Sequence, residues 1–94
     1  MKLYLYGTEG CHLCHLAEQT VAALKGEFDL QVQQVDVSAT DDLMGRYGIR
    51  IPVVRVDERI DDLGWPFDTA VLQRYLSGEV IVPHDPQEAF NPFA

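Results

Sequence analysis

Cysteine is scarce in this 94-residue chain: there are only two, Cys11 and Cys14, and they lie three positions apart. Secreted domains that rely on disulfides spread their cysteines along the chain to join distant segments. Two neighbouring thiols cannot join distant segments, so the sequence does not indicate a disulfide scaffold. The close spacing points instead to chemistry carried out by the pair itself.

Positive charge is also in short supply, with seven Lys and Arg residues against 15 Asp and Glu residues and a formal net charge of −8. A surface this negative repels the phosphates of nucleic acids and the headgroups of anionic lipids. We therefore expect no nucleic-acid partner and no membrane partner. The excess negative charge suits solubility or docking to a basic partner.

Long hydrophobic runs are missing as well, and none approaches the ~20 residues that cross a bilayer. The apolar run at the start ends at Gly7 after four residues, which is shorter than the ~7–15-residue core of a secretory signal. Hydrophobic residues make up 47% and charged residues 23%, the balance of a globular rather than a disordered chain. The sequence therefore predicts a cytoplasmic, monomeric protein.

Periodicity predicts the element order β-α-β-α-β-β-α. The strands are expected at residues 2–6, 30–37, 49–56 and 59–63, and the helices at residues 11–25, 38–47 and 68–77. The first helix is expected to bury Leu13, Leu16, Ala17, Thr20, Val21 and Leu24, and the second Leu43, Met44 and Tyr47. A βαβ opening and a closing hairpin together give an α/β fold with a mixed four-stranded sheet flanked by helices.

Local signals suggest where some of these elements begin. Ser38 is predicted to cap the second helix, with Asp41 three residues later, and Asp68 is predicted to cap the third. A tight turn at residues 57–58 would close the hairpin. The domain is expected to span residues 1–78, and the Pro-containing segment 79–94 is expected to be a frayed tail.

Cys11 and Cys14 fall where the first loop meets the first helix. Residues three apart in a helical turn have Cα atoms ~5–6 Å apart, and a disulfide needs ~4.4–6.8 Å. The positive end of the helix is expected to lower the thiol pKa of Cys11 from ~8.5 toward the ~3.5–7.5 range of reactive cysteines. We therefore predict that Cys11 is the nucleophile and that Cys14, one turn further, is the resolving thiol.

Two neighbours are expected to tune the same thiol pKa in opposite directions. A protonated His12 would add positive charge beside the Cys11 thiolate and lower that pKa, whereas the carboxylate of Glu9 would raise it. The sequence identifies both as tuning residues and does not rank their effects.

A first strand, a short loop, Cys-X-X-Cys, a helix and a later Ile51-Pro52 together resemble the thioredoxin superfamily. The compact element order, with the cysteine pair near the N-terminus, is most similar to glutaredoxin and to small bacterial glutaredoxin-like proteins. The resemblance covers residues 2–78. It implies a thioredoxin-like fold and thiol–disulfide oxidoreductase activity on protein or small-molecule disulfides, with a thiol reductase as a further partner.

The resemblance also implies that Ile51 and Pro52 bind substrate. In the family, the matching Pro follows a cis peptide bond beside the cysteine pair, and the residue before it offers backbone groups to an extended substrate chain. We therefore expect a cis Ile51–Pro52 bond; the other interpretation is an ordinary trans Pro that opens an edge strand. Arg50 is a candidate partner for a substrate carboxylate, or else a solvated strand end.

Three departures from the glutaredoxin pattern concern glutathione. His12-Leu13 stands where glutaredoxins usually have Pro-Tyr, Glu9-Gly10 stands where they often place a basic residue, and residues 61–68 contain one Gly instead of a Gly-Gly pair. Glutathione is anionic, and an acidic approach repels it. The sequence therefore predicts no bound cofactor and supports dithiol exchange better than glutathione dependence, with glutathione left open as a co-substrate.

The same residues also fit the motifs of two other kinds of site, a haem attachment site and a metal site. The segment from Cys11 to His15 also spells C-x-x-C-H, the attachment motif of c-type haem, but that role goes with export and a mostly helical fold. A closed zinc site needs four ligands, and this segment supplies three at most, with His84 alone in the tail. We therefore predict no metal site within one chain, although two chains could share zinc or an iron–sulfur cluster through their cysteines.

A further alternative keeps the fold without turnover. The domain would then be a binding module or a redox-sensing switch, in which the state of the disulfide alters a contact. The loss of a cysteine would favour the binding module, and both cysteines are present. The reactivity of the two thiols distinguishes these functions from catalysis.

Overall fold

The computed structural model describes residues 1–81, and within them the predicted element order is confirmed. The elements are β1 Lys2–Gly7, α1 His12–Leu24, β2 Gln31–Asp36, a 3-10 turn Val37–Ala39, α2 Asp41–Tyr47, β3 Val53–Val56, β4 Leu63–Gly64 and α3 Thr69–Leu76. No helix in this part of the chain has both the length and the apolar character that crossing a membrane requires. The tail predicted for residues 79–94 lies outside the described residues from position 82 onward.

The four strands form one mixed sheet in the order β2-β1-β3-β4. β1 runs parallel to β2 and antiparallel to β3, and β3 runs antiparallel to β4. This is the predicted thioredoxin-like α/β arrangement. Because β1 and β2 are parallel, their carboxyl ends meet at the same edge of the sheet, where the loop to α1 begins.

Side chains of β1 alternate between two hydrophobic cores. Leu3 and Leu5 are buried in the larger core, which also contains apolar residues of α1 and α3. Tyr6 points to the opposite face and stacks on Tyr47 of α2, with ring centroids 4.1 Å apart. The sheet is therefore covered by α1 and α3 on one face and by α2 on the other.

β3 is shorter than the predicted strand 49–56 and begins only at Val53. The backbone N–H groups of Arg50 and Ile51 both donate to the carbonyl of Tyr47, at 2.8 and 3.0 Å, so this segment belongs to the end of α2. Pro52 has no N–H to contribute to a ladder. The prediction that the strand starts at residue 49 is therefore wrong.

The predicted turn at residues 57–58 is confirmed, since the Arg59 N–H donates to the Val56 carbonyl at 2.9 Å. The strand expected at 59–63 is wrong, because β4 contains only Leu63 and Gly64. The guanidinium of Arg59 binds the Asp61 carboxylate and the carbonyl of Tyr75, and it lies over the Tyr75 ring. These contacts direct the segment toward α3 instead of along β3.

The cap predicted for α2 is also wrong. Thr40, not Ser38, is the N-cap, and its hydroxyl accepts the Leu43 N–H at 3.1 Å. Ser38 donates both its N–H and its hydroxyl to the Asp36 carboxylate, at 2.9 and 2.7 Å. These hydrogen bonds cap the short 3-10 turn Val37–Ala39, so the N-cap of α2 lies two residues later than predicted.

The buried faces of α1 and α2 each differ from the prediction at one residue. Leu13 of α1 and Met44 of α2 are 44% and 45% exposed, although both were expected to be buried. The other predicted α1 positions are buried or half-buried. Asp68 caps α3 as predicted and accepts the Val71 N–H at 2.8 Å.

Tyr75 of α3 completes the hydrogen bonding of β3. Its side chain is fully buried, its hydroxyl accepts the Val56 N–H at 3.1 Å, and it donates to the Asp61 carbonyl at 2.7 Å. β4 pairs only with Val53 and Val54. The tyrosine hydroxyl therefore takes the place of a strand neighbour at Val56.

Tyr75→Phe should lower the free energy of unfolding by about 1–3 kcal/mol, because it leaves a buried backbone N–H without an acceptor. Tyr4→Phe is the matched control, since the Tyr4 hydroxyl donates to the Asp57 carboxylate at an exposed position. Its effect should stay within about 0.5 kcal/mol. Denaturant titration of both variants checks this, and equal stabilities would contradict the role given to Tyr75.

Candidate active site

Cys11 and Cys14 lie at the start of α1, directly after β1. Gly10 in the connecting loop has φ +79°, a backbone conformation that favours glycine, and the Cys11 N–H donates to the Thr8 carbonyl at 3.3 Å. Cys11 then has extended backbone angles and is the N-cap of the helix. The predicted location of the pair at a helix N-terminus is confirmed.

The two cysteines form a disulfide in this structure, with Cα atoms 5.2 Å apart. Cys11 is half-buried, whereas Cys14 is only 7% exposed. The more accessible sulfur is therefore the first one, as the predicted division between an attacking and a resolving thiol requires. The two roles themselves stay predictions.

The sulfur of Cys11 is also the capping group of α1. It accepts the backbone N–H of Cys14 at 3.1 Å, and the first turn of α1 contains no acidic residue. A helix N-terminus carries about half a positive charge on its free N–H groups. The sulfur of Cys11 therefore lies at the positive end of α1.

Gly7 allows the buried sulfur to approach β1. A Cβ atom at this position would lie 2.9 Å from Cys14 Sγ and 3.3 Å from Cys14 Cβ. Real Cβ atoms are essentially never within 3.0 Å of a neighbouring atom, so a larger residue at position 7 would force Cys14 or the strand to shift.

Pro52 lies at the same end of the sheet as the cysteine pair. β1 and β3 are in register at Tyr6 and Val53, so Pro52 falls one position further, level with Gly7. Pro52 is buried, and the Ile51–Pro52 peptide bond is cis, which confirms the predicted isomer. A second cis bond, Trp65–Pro66, was not predicted.

Two groups expected to contact substrate, the Ile51 backbone and the Arg50 side chain, already form hydrogen bonds within the chain. The Ile51 N–H donates to the Tyr47 carbonyl, as described above. Arg50 forms a two-pronged ion pair with the carboxylate of Asp62, with Nη1 to Oδ2 at 3.1 Å. Asp62 raises the pKa of Arg50 through this hydrogen bond. Arg50 is therefore neither the free carboxylate receptor nor the solvated strand end that the sequence suggested.

An open groove of about 660 Å³ runs beside the cysteine pair. Both predicted tuning residues, Glu9 and His12, line it with exposed side chains. Glu18, Gln34 and Asp36 line the same groove and are not among the predicted site residues. The sequence does contain a signal for Gln34 and Asp36, because they lie in the last half of the strand that the βαβ opening places parallel to β1.

Within residues 1–81, no three His, Cys, Asp or Glu side chains converge as metal ligands. His15, the third ligand considered beside the cysteines, is exposed, and its Nδ1 lies 3.7 Å from Glu18 Oε2. His84 lies outside the described residues.

Gly7→Ala should lower the free energy of unfolding of the oxidised protein by about 1–3 kcal/mol, because the added methyl group overpacks the contact with Cys14. Gly26→Ala is the control, since no heavy atom lies within 4 Å of a Cβ built there. The control should be neutral or slightly stabilising. Denaturant titration compares the two, and a Gly7 variant as stable as the wild type would contradict this packing.

Comparisons with known proteins agree with the fold and identify the family. The family model described as glutaredoxin-like domain (DUF836) matches residues 2–77. The X-ray structure of the structural genomics target protein XcR50 from X. campestris is 31% identical with a TM-score of 0.72, covering 82% of this chain and 97% of that chain. The solution structure of that target is 32% identical with a TM-score of 0.70, covering 90% and 100%.

A more distant neighbour supports the fold alone. Thioredoxin 1 from Thermosipho africanus is 19% identical with a TM-score of 0.58, and the match covers 82% of this chain and 96% of that one. No curated protein sequence matches the chain. On the family model and the X. campestris structures, the chain belongs to the glutaredoxin-like domain (DUF836) family.

Proposed function

We propose that this protein is a thiol–disulfide oxidoreductase in which Cys11 is the nucleophile and Cys14 the resolving thiol. One observation carries the proposal: the accessible Cys11 Sγ caps a helix and accepts the Cys14 N–H, while Cys14 lies buried within bonding reach. A structural disulfide needs no such difference in access. A pair that exchanges with an external disulfide needs one cysteine to be more accessible than the other, because only one sulfur attacks the substrate.

The reaction starts from the reduced protein. The Cys11 thiolate attacks one sulfur of a substrate disulfide, forming a mixed disulfide and releasing the other substrate half as a thiolate, which takes a proton from solvent. Cys14 loses its proton and attacks Cys11 Sγ, which releases the second substrate thiol. The protein loses two electrons and the substrate gains two. A dithiol reductase reverses the change in the protein.

Substrate is proposed to lie against Pro52 and the backbone of Ile51. Because the Ile51 N–H already donates to Tyr47, the carbonyl is the group we expect a substrate chain to use. An extended chain seated there would present its disulfide at the end of β1 that Cys14 also packs against. Pro52 and Ile51 therefore orient the substrate and take no part in the bond changes.

Dithiol reductants fit this site better than glutathione. Asp62 already neutralises Arg50, and the loop before Cys11 carries the carboxylate of Glu9. An anionic tripeptide is repelled by such an approach. We propose protein or small-molecule disulfides as substrates and no bound cofactor. We place the reaction in the cytosol, where reductases keep thiols reduced.

Single cysteine variants separate the two roles. Cys14→Ser should retain attack by Cys11 but accumulate a mixed disulfide with a model disulfide, because no resolving thiol is left. Cys11→Ser should form at least a hundredfold less adduct over the same time, on the order expected for a buried thiol without its activating site. Mass spectrometry of the intact protein measures both adducts. Equal adduct formation by the two variants would refute the assignment.

The pH dependence of alkylation tests the two tuning residues. We expect half-maximal reactivity of Cys11 below the ~8.5 of a free thiol. Glu9→Gln should move this midpoint down and His12→Asn should move it up, each by about half a pH unit, the scale of one charge near the surface. Glu58→Gln, a change in an exposed loop, is the control. Midpoints unaffected by either substitution would show that neither residue tunes Cys11.

A further inference from the structure

The groove beside the cysteine pair is negatively charged on three sides. Glu9 reaches it from the loop, Glu18 from the second turn of α1 and Asp36 from the end of β2. Among the described residues that line the groove there is no Lys or Arg, and only His12 and His15 could add positive charge.

Two of these carboxylates are held in place. Glu18 accepts a hydrogen bond from Gln34 Nε2 at 2.7 Å. Asp36 accepts the hydroxyl and the N–H of Ser38, and these bonds, the hydroxyl first, lower the pKa of Asp36 below its ordinary value. Both carboxylates are therefore positioned at the groove by hydrogen bonds. Neither forms an ion pair with an Arg or Lys of the described residues.

The carboxylates surround the groove and do not converge on one point. Within residues 1–81, no three of the ligand-type side chains come together as a metal site would require. Charges spread around a groove of this size suit several separate cations, such as the side chains of a polypeptide. What makes the groove a site is the half-buried Cys11 in its wall, whose sulfur can exchange with a disulfide bound in the groove.

We infer that this groove selects disulfides in basic polypeptide segments, where Lys or Arg side chains flank the reacting cysteine. The inference rests on the proposed function and names its substrate class.

The chemistry of exchange favours the same substrates. Attack by Cys11 forms the Cys11–substrate bond, breaks the substrate S–S bond and expels a thiolate into a groove that already holds three negative charges. An ammonium or guanidinium group beside the leaving sulfur offsets the repulsion and also raises the rate of encounter. A substrate with acidic side chains beside its disulfide is repelled by the groove during encounter, and it does not offset the charge of the departing thiolate.

The test is a single-turnover experiment on the full chain. The reduced protein is mixed with the homodisulfide of a short blocked peptide whose central cysteine is flanked by lysine, glutamine or glutamate. The protein dithiol supplies both electrons, so no further reductant is needed. Each rate constant is divided by that of dithiothreitol with the same peptide, which removes differences in the intrinsic reactivity of the leaving thiol.

The normalised rate for the lysine peptide should exceed that for the glutamate peptide by about tenfold or more at low salt. At about 1 M salt, where the Debye length is ~3 Å, the ratio should approach one. Combining Glu9→Gln, Glu18→Gln and Asp36→Asn should also bring it close to one. These amides keep an oxygen acceptor for Gln34 and Ser38.

Glu58→Gln is the control, because it removes one negative charge at the far end of the sheet. Its neighbour Asp57 donates its N–H to the Lys2 carbonyl, whereas the cysteines lie beyond Gly7. The control should keep the wild-type ratio. A change in Cys11 reactivity alters all peptide rates alike, so the ratio reports the charge of the groove.

The outcomes separate the two proposals. A salt-sensitive preference for the lysine peptide that the triple variant loses supports the inference. Reduction of all three peptides with a ratio near one, or a preference that survives in the triple variant, overturns the inference and leaves the proposed function intact. Failure to reduce even the glutamine peptide overturns both.

Discussion

The hydrogen bond from the Cys14 N–H to Cys11 Sγ exists only because a helix begins at that point of the chain. The chain turns at Gly10 and leaves Cys11 in extended geometry, so its sulfur faces the free N–H groups of the first turn. The helix then carries Cys14 back against Gly7. One local feature, the start of α1, thus sets which sulfur is accessible and which is enclosed.

The register of the sheet determines which residues surround the start of α1. β1 holds its register with β3 through Tyr6 and Val53, and this places Pro52 level with Gly7. β2, the parallel neighbour on the other side, ends at the same edge with Asp36. The end of β1, the end of β2 and the residue before β3 therefore lie together at the cysteine pair, because strand pairing brings them to the same edge of the sheet.

Much of this arrangement follows from sequence patterns, and the exceptions have physical reasons. The element order, the cysteine location and the Asp68 cap depend on local periodicity and spacing. The start of β3 depends on how far the hydrogen bonding of α2 continues, since the Arg50 N–H still donates to the Tyr47 carbonyl. The length of β4 depends on a non-local contact, the bond from Arg59 to the Tyr75 carbonyl, which no pattern along the chain reveals. The lining of the groove by Gln34 and Asp36 follows from the parallel pairing of β1 and β2, which the predicted βαβ opening already implies.

Tyr75 also affects how the molecule meets its neighbours. β4 leaves part of the outer edge of β3 unpaired, and an open strand edge is a template for pairing with another chain. The hydroxyl of Tyr75 accepts the Val56 N–H, and Arg59 lies over the Tyr75 ring. A helix residue thus blocks edge-to-edge pairing at Val56 and leaves β2 as the more open side of the sheet.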